Sequence, residues 1–285
     1  MTPNKTRASQ IVDSSKQKTD LDATSPRYGD GMLHPDPPAT HVVVVGAGMV
    51  AHRFVESLLS RAGADWRVTL IGEEGRAPYD RVGLTSFFGG ATPDELTLDR
   101  GIIEDDPRIR FLPGDPVTRL EQAERRVVTA SGQVVPYDHL VLATGSFAAK
   151  LKVDGFGHRG CFVYRTLDDV EALRTYVSGR ASELGRPLTG MVIGGGLLGL
   201  EAAGALQNLG VNSTVVQSSD RLMSAQLDLP AGNALRRLIE SRGIGVRTGS
   251  VTTRLDADKA GRVVGFEGLD HRGGRQRRHS DRPCG

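Results

Sequence analysis

Cysteine is nearly absent: the 285 residues hold two, Cys161 and Cys284. They lie far apart with no CxxC spacing. That excludes a disulfide framework or thiolate metal cluster within the chain, and predicts a reducing, cytoplasmic setting with no bound metal. Long apolar runs are missing too, so no membrane span is expected. The N-terminus lacks the apolar core of a secretory signal. Neither sign of charge dominates: 36 basic and 34 acidic residues leave a net charge of +2, too little to argue for a nucleic-acid or membrane partner. What remains, at 38% apolar and 25% charged, is a globular chain long enough for two ordinary domains.

Positions 1–40 show no apolar periodicity and end in HPDPPAT, whose prolines oppose regular structure. They read as a disordered leader, and their five Asp residues argue against a transit peptide. Order begins at Val42. The run VVVV is β-branched and unbroken, as a strand buried on both faces should be. Gly46 and Gly48 follow, and Val50, Phe54 and Leu58 then recur as one stripe of a helix. WRVTLIGEE is the next strand. RRVVTA and QVVPYDHLVLATG predict a hairpin and a returning strand, and CFVYR a further strand that buries Cys161. TLDDVEALRTYV opens a helix with Thr166 three residues before Asp169, a capping-box pattern, and puts Val170, Leu173 and Val177 on one face. The order then repeats: MVIGGG as strand and turn, a helix over Leu197–Leu209 stopped by Gly210, the strand VNSTVVQ, and a helix ending at Gly243. Strands alternating with helices predict an α/β protein with two parallel sheets. Beyond Phe266 the pattern fails, and 269–285 reads as a basic, unstructured tail.

Two strand–turn–helix units carry glycines at the spacing that cradles a dinucleotide. The first glycine makes the tight turn, the second lets a pyrophosphate approach the backbone, and a small third residue lets helix and strand pack. The helix N-terminus then offers free N–H groups to the phosphates. In the first unit these positions are Gly46, Gly48 and Ala51, and Glu73, with Glu74 beside it, closes the second strand where an acid holds ribose hydroxyls. In the second they are Gly194, Gly196 and Gly199, with Gln217 in place of the acid. An acid there favours NAD; Gln can bond either form, and Ser218, Ser219 and Arg221 suit a phosphate, so NADH and NADPH both stay open. Two such devices imply FAD in one and a nicotinamide dinucleotide in the other, with hydride passing between them.

The ordered segments VVVVGAGMVAHRF, APYDRVGLTSFF, LVLATGS, CFVYRT and VIGGGLLGLEAAGALQNLG resemble those of the pyridine nucleotide–disulfide oxidoreductases. GMVAHRF, YDRVGL and GGGLLGLEAAGAL are most similar to the N-terminal flavin region of assimilatory NAD(P)H nitrite reductase large subunits. The resemblance covers about Val42 to Phe266. It implies two Rossmann-like domains of the glutathione reductase type: an FAD-binding domain over 41–150 and an NAD(P)H-binding domain over 151–268. It implies that Arg81 lies near the FAD phosphates or flavin, that Thr144 and Gly145 make a second flavin contact, and that Glu201 stands near the nicotinamide, the one candidate for a catalytic role. It also implies a chain that returns to the flavin domain with a Gly-Asp contact. None follows Phe266, so the fold is expected to be C-terminally incomplete. No cysteine precedes Cys161, so electrons are expected to leave for an acceptor domain or protein outside the chain, not a protein thiol. A rubredoxin- or ferredoxin-type reductase shares YDR and ATG; Ser86 stands where a lysine would favour it. A non-catalytic nucleotide-binding fragment is the remaining alternative.

Overall fold

The computed structural model describes residues 39–98, 101–148 and 151–270, and the backbone of 275–279. The expected leader, apart from its last two residues, lies outside the described residues. The first repeat begins with β1 (Thr40–Val45), α1 (Met49–Leu59) and β2 (Trp66–Ile71). Three short helices follow, α2 (Leu84–Phe88), α3 (Pro93–Leu96) and α4 (Ile102–Asp105), then β3 (Ile109–Leu112). An antiparallel meander, β4 (Val117–Glu121), β5 (Arg126–Thr129) and β6 (Val134–Pro136), leads to β7 (His139–Leu142). Strands β3, β2, β1 and β7 make one parallel sheet in that order.

Burial follows from the sequence pattern. Val42 to Val45 are buried because β1 is central and covered on both faces. Val42 and Val44 pack on Ala51, Val55 and Leu59 of α1, while Val43 and Val45 pack on the meander through Val127 and Val135.

The second repeat opens with α5 (Leu167–Leu184), whose start has the capping box read from the sequence: Asp169 N–H donates to Thr166 Oγ1 and Thr166 N–H to the Asp169 carboxylate. It continues through β8 (Thr189–Ile193), α6 (Leu197–Asn208), β9 (Asn212–Val216), α7 (Leu229–Ser241) and β10 (Gly245–Arg247). The strand order is β10-β9-β8, again parallel. A second antiparallel meander follows: β11 (Ser250–Ala257), β12 (Val263–Asp270) and β13 (Arg275–His279). The repeats meet where Leu84, Phe87 and Phe88 of α2 pack with Leu167, Val170 and Ala205.

Two expectations are corrected. CFVYR forms no strand: a turn donates Cys161 N–H to His158, Gly160 has φ +95°, and the run is held by ring contacts, Phe162 on Tyr176 and Tyr164 on Phe88. Cys161 is accordingly only half-buried. The tail from 269 is not wholly without structure either. β12 runs to Asp270, and Arg275–His279 pairs with it antiparallel, Gly265 opposite His279. An edge strand needs only its backbone to pair, and charged residues are common there.

Candidate functional site

The first glycine turn is built by exclusion of side chains. Gly46 has φ +104°, and an added Cβ would lie 2.2 Å from Ala143 O and 3.0 Å from Thr144 N. The turn is therefore in contact with Ala143 and Thr144 of the ATG segment after β7, and Gly145 follows directly in the chain. Ala51 is fully buried against the sheet. Gly48, the N-cap of α1, has extended backbone and nothing within 4 Å of an added Cβ. The cradle is open over the helix N-terminus.

The second turn has the same geometry. Gly194 has φ +112°, Gly196 opens on empty space, and a Cβ on Gly199 would stand 1.9 Å from Gly194 O. Only glycine lets α6 close on its turn there. Apolar side chains are exposed at matching places, Met49 and Val50 opening α1 and Leu197 and Leu198 opening α6. Both cradles thus offer free backbone N–H groups beside apolar surface, which fits a dinucleotide's pyrophosphate and rings.

The acidic positions differ from each other. Glu73 is exposed just past β2. Its neighbour Glu74 is committed elsewhere: it accepts from Tyr79 Oη at 2.7 Å and pairs with Arg81. Burial and that carboxylate push the Tyr79 hydroxyl well above its usual range. Arg81 does not stand free at a phosphate site; beyond its pair with Glu74 it lies over the Tyr79 ring at 5.2 Å and donates to Arg165 O at 3.4 Å. Gln217 turns back onto its own turn, its Oε1 accepting Gly195 N–H at 2.8 Å. Arg221 is likewise engaged, by Leu227 O, Ser224 O and Asp220.

A model of the pyridine nucleotide-disulphide oxidoreductases matches residues 40–273. The chain belongs to this family. Its cofactors are FAD and NAD(P)H, the two dinucleotides that a pair of glycine turns requires. Among relatives, the nitrite reductase (NADH) large subunit of Escherichia coli (strain K12) is 40% identical over 215 residues, 75% of this chain and 25% of that protein. The ferredoxin reductase component of a chlorobenzene dioxygenase from a Cupriavidus species (strain PS12) is 33% identical over 223 residues, 77% of this chain and 52% of that one. A solved ferredoxin reductase from Rhodopseudomonas palustris superposes with a TM-score of 0.72 at 26% identity, covering 82% of this chain and 56% of that one. The chain thus spans about a quarter of the nitrite reductases and half of the ferredoxin reductases it matches.

In this family member, Glu201 sits half-buried where the repeats meet. It is close enough to Tyr164 for its charge to help burial raise that hydroxyl's pKa, and Tyr164 Oη lies 3.1 Å from Thr85 Oγ1. One residue open from the sequence between a cofactor neighbour and a strand-end charge has a defined place. Arg165 donates Nε–H to Ser146 O at 2.7 Å, and its own N–H is held by Asp169 at 3.1 Å. It ties the ATGS segment of the first repeat to the capping box of the second. Its place directly before a Thr-x-x-Asp cap was the available signal. No described helix is long and apolar enough to cross a membrane.

Proposed function

We propose that the chain is an FAD-dependent NAD(P)H oxidoreductase unit of the nitrite reductase type, passing electrons to an acceptor domain or protein outside it. The presence of two open glycine cradles, one in each of two repeats that pack together, supports this reading most directly. FAD, when bound, accepts hydride from the nicotinamide and releases the electrons singly or in pairs.

The chain's own residues have separate tasks. Gly46 and Gly48 hold the first pyrophosphate against the N-terminus of α1, where free N–H groups and the helix dipole favour anionic oxygens, and buried Ala51 lets that helix pack close to the sheet. Glu73, exposed and uncommitted, takes the ribose hydroxyls. Thr144 and Gly145 form the second wall of that pocket, and Arg165 holds them there through Ser146. Arg81 acts through Glu74 and Tyr79, bracing the segment after β2. Gly194, Gly196 and Gly199 do for the nicotinamide dinucleotide what the first triplet does for FAD. Gln217 carries no negative charge to repel a 2′-phosphate, so the unit accepts NADH and NADPH alike. Glu201 stands at the surface between the repeats, on the nicotinamide side.

A rubredoxin- or ferredoxin-type reductase is the second reading, favoured by the ferredoxin reductases among the relatives. Against it, Ser86 holds the place of a lysine and donates back to Gly83 O at 2.6 Å. The test is the visible spectrum of the purified protein followed by NADH and NADPH oxidation with ferricyanide. Flavin bands bleached by either coenzyme, with ferricyanide turnover, support an oxidoreductase unit; reduction of an added ferredoxin at a matching rate selects the second reading. A colourless protein that FAD cannot reconstitute refutes both and leaves a non-catalytic fragment.

A further inference from the structure

The capping box of α5 satisfies the N–H groups of Thr166 and Asp169 from within the helix start. The N–H of Leu167, between them, is satisfied from the other repeat: it donates to Tyr79 Oη at 3.1 Å. That hydroxyl donates to Glu74 at 2.7 Å, Glu74 pairs with Arg81, and Arg81 donates to Arg165 O at 3.4 Å. Arg165 and Leu167 are two residues apart, so these bonds close a circuit between the loop after β2 and the start of α5. Tyr79 and Leu167 are both buried, and a donor is costly to leave unpaired there. From the same loop Arg76 pairs with Asp168, and with Glu171 at 2.8 Å.

Both sides of this circuit adjoin a cradle. Glu74 directly follows the exposed Glu73, and Arg165 holds Ser146 O at 2.7 Å, next to the exposed Thr144 and Gly145. On the other side Tyr79 packs in one buried cluster with Leu167 and Val170 of α5 and Ala205 of α6. The N-terminus of α6 is the second cradle. One hydrogen-bonded circuit and one buried cluster thus form a contiguous path between the two glycine turns. A ligand that orders one end of such a path lowers the ordering cost met by a ligand at the other.

We propose that Tyr79 is a positioning residue that couples the two cradles, so that a dinucleotide seated in the first raises the affinity of the second. The first dinucleotide orders the loop that carries Glu73 and Glu74. The Tyr79–Leu167 bond passes that order to α5, and Ala205 passes it to α6. Tyr79 acts through Leu167, not by touching either dinucleotide. The coupling is reciprocal, so the second dinucleotide tightens the first by the same factor. Phenylalanine at position 79 keeps the ring beneath Arg81 and within the cluster, and removes only the two hydrogen bonds. Glutamine at position 74 opens the circuit at the Arg81 pair instead. This inference rests on the reading of the cradles as sites for FAD and NAD(P)H.

The full chain, stripped of flavin and then reloaded with FAD, is titrated calorimetrically in both forms with NAD+ and NADP+, oxidised so that no hydride passes. In the parent, FAD should tighten binding of the nicotinamide dinucleotide at least about fivefold. In Tyr79→Phe and Glu74→Gln that gain should fall below about twofold, while the stripped chains bind as the parent does. The double variant should lose no more than either single one, because both open the same circuit. Hydrogen exchange on the stripped chains reads the bond itself. The Leu167 amide should exchange about tenfold faster in Tyr79→Phe, with Val43 and Val45 unchanged as the sign of an intact fold. Should Tyr79→Phe lose that fold, Glu74→Gln carries the test. Equal affinity with and without FAD in the parent overturns the proposal, as does a full gain in either variant or an unmoved Leu167 amide. An equal loss of affinity in stripped and loaded Tyr79→Phe makes the residue merely structural and overturns it too. A parent that takes up no FAD fails the oxidoreductase reading and this inference with it; FAD bound without coupling fails this inference alone.

Discussion

Two glycines of the first turn, separated only by Ala47, should fail in opposite ways when each is replaced by alanine. At Gly46 the backbone has φ +104°, and the new Cβ would stand 2.2 Å from Ala143 O. A residue held in such a region costs about 1–3 kcal/mol, and overpacking against a fixed carbonyl costs another ~1–3 kcal/mol. The sum is about 2–6 kcal/mol. At about 2–4 °C per kcal/mol for a unit of this size, Tm should fall by roughly 5–20 °C. Gly48 differs in both respects. Its φ of −94° and ψ of −172° suit alanine, and an added Cβ meets nothing within 4 Å. The entropy lost from the unfolded chain stabilises by ~0.4–1 kcal/mol, offsetting a poorer N-cap of similar size. Gly48→Ala should therefore melt within a degree or two of the parent when both are stripped of cofactor, as read by circular dichroism. Its methyl would nevertheless stand in the cradle, and FAD titration by flavin fluorescence should show at least tenfold weaker binding, about 1.4 kcal/mol. Equal melting of the two variants would refute the stability argument, whether or not flavin binds. Undiminished FAD affinity in Gly48→Ala would refute the assignment of the cradle.

Gln217→Glu places a carboxylate on the second turn and should raise the ratio of NADH to NADPH use at least tenfold, read from kcat/KM for each coenzyme; an unchanged ratio would show that this position does not face the 2′ group. Arg165→Met removes the bond to Ser146 O, worth about 0.5–1.5 kcal/mol, and should weaken FAD binding several-fold while Tm falls only a few degrees. His41 is half-buried with Nε2 2.8 Å from Thr69 Oγ1, and burial lowers its pKa below 6.5 despite the nearby Asp138. A lowered folded-state pKa means that protonation favours unfolding, so its contribution is present above pH 6.5 and lost as pH falls below it. Urea melts between pH 7.5 and about 5 should show a shallower loss for His41→Asn than for the parent, and parallel slopes would discount His41.

The parts of the fold legible in the sequence are those where one residue type is obligatory. Gly46 and Gly199 admit no side chain, the β1 valines require cover on both faces, and Thr166 with Asp169 closes a cap by local hydrogen bonds. What escaped was settled by contacts distant in sequence. Phe162, Val163 and Tyr164 have strand composition, but Tyr176 and Phe88 claim the aromatic rings and the backbone stays irregular. Arg275–His279 lacks any apolar alternation and forms a strand on backbone pairing alone. Arg81 was assigned to the neighbourhood of the cofactor by resemblance alone, and its pair with Glu74, seven residues earlier, is a contact that the sequence pattern did not show. The same composition would have served either outcome, and only the folded distance separates them.

The central strands of the two repeats turn that distinction into a further prediction. Both follow the parallel pattern in which alternate N–H groups point to opposite neighbours, so Val43, Val45, Met191 and Ile193 all face away from the second strand of their sheets. For β1 that side holds β7 and near-complete burial. For β8 nothing pairs on that side among the described residues, although both strands carry valine and isoleucine of high strand propensity. Native-state hydrogen exchange should therefore find the Val43 and Val45 amides among the slowest, opening only with global unfolding, and those of Met191 and Ile193 exchanging through local fluctuation. The inward amides of Gly190 and Val192, bonded toward β9, should fall between. The expected order is β1, then the inward β8 amides, then the outward ones. A uniform rate along β8 would contradict the free edge itself, because only a strand paired on both sides hides the alternation.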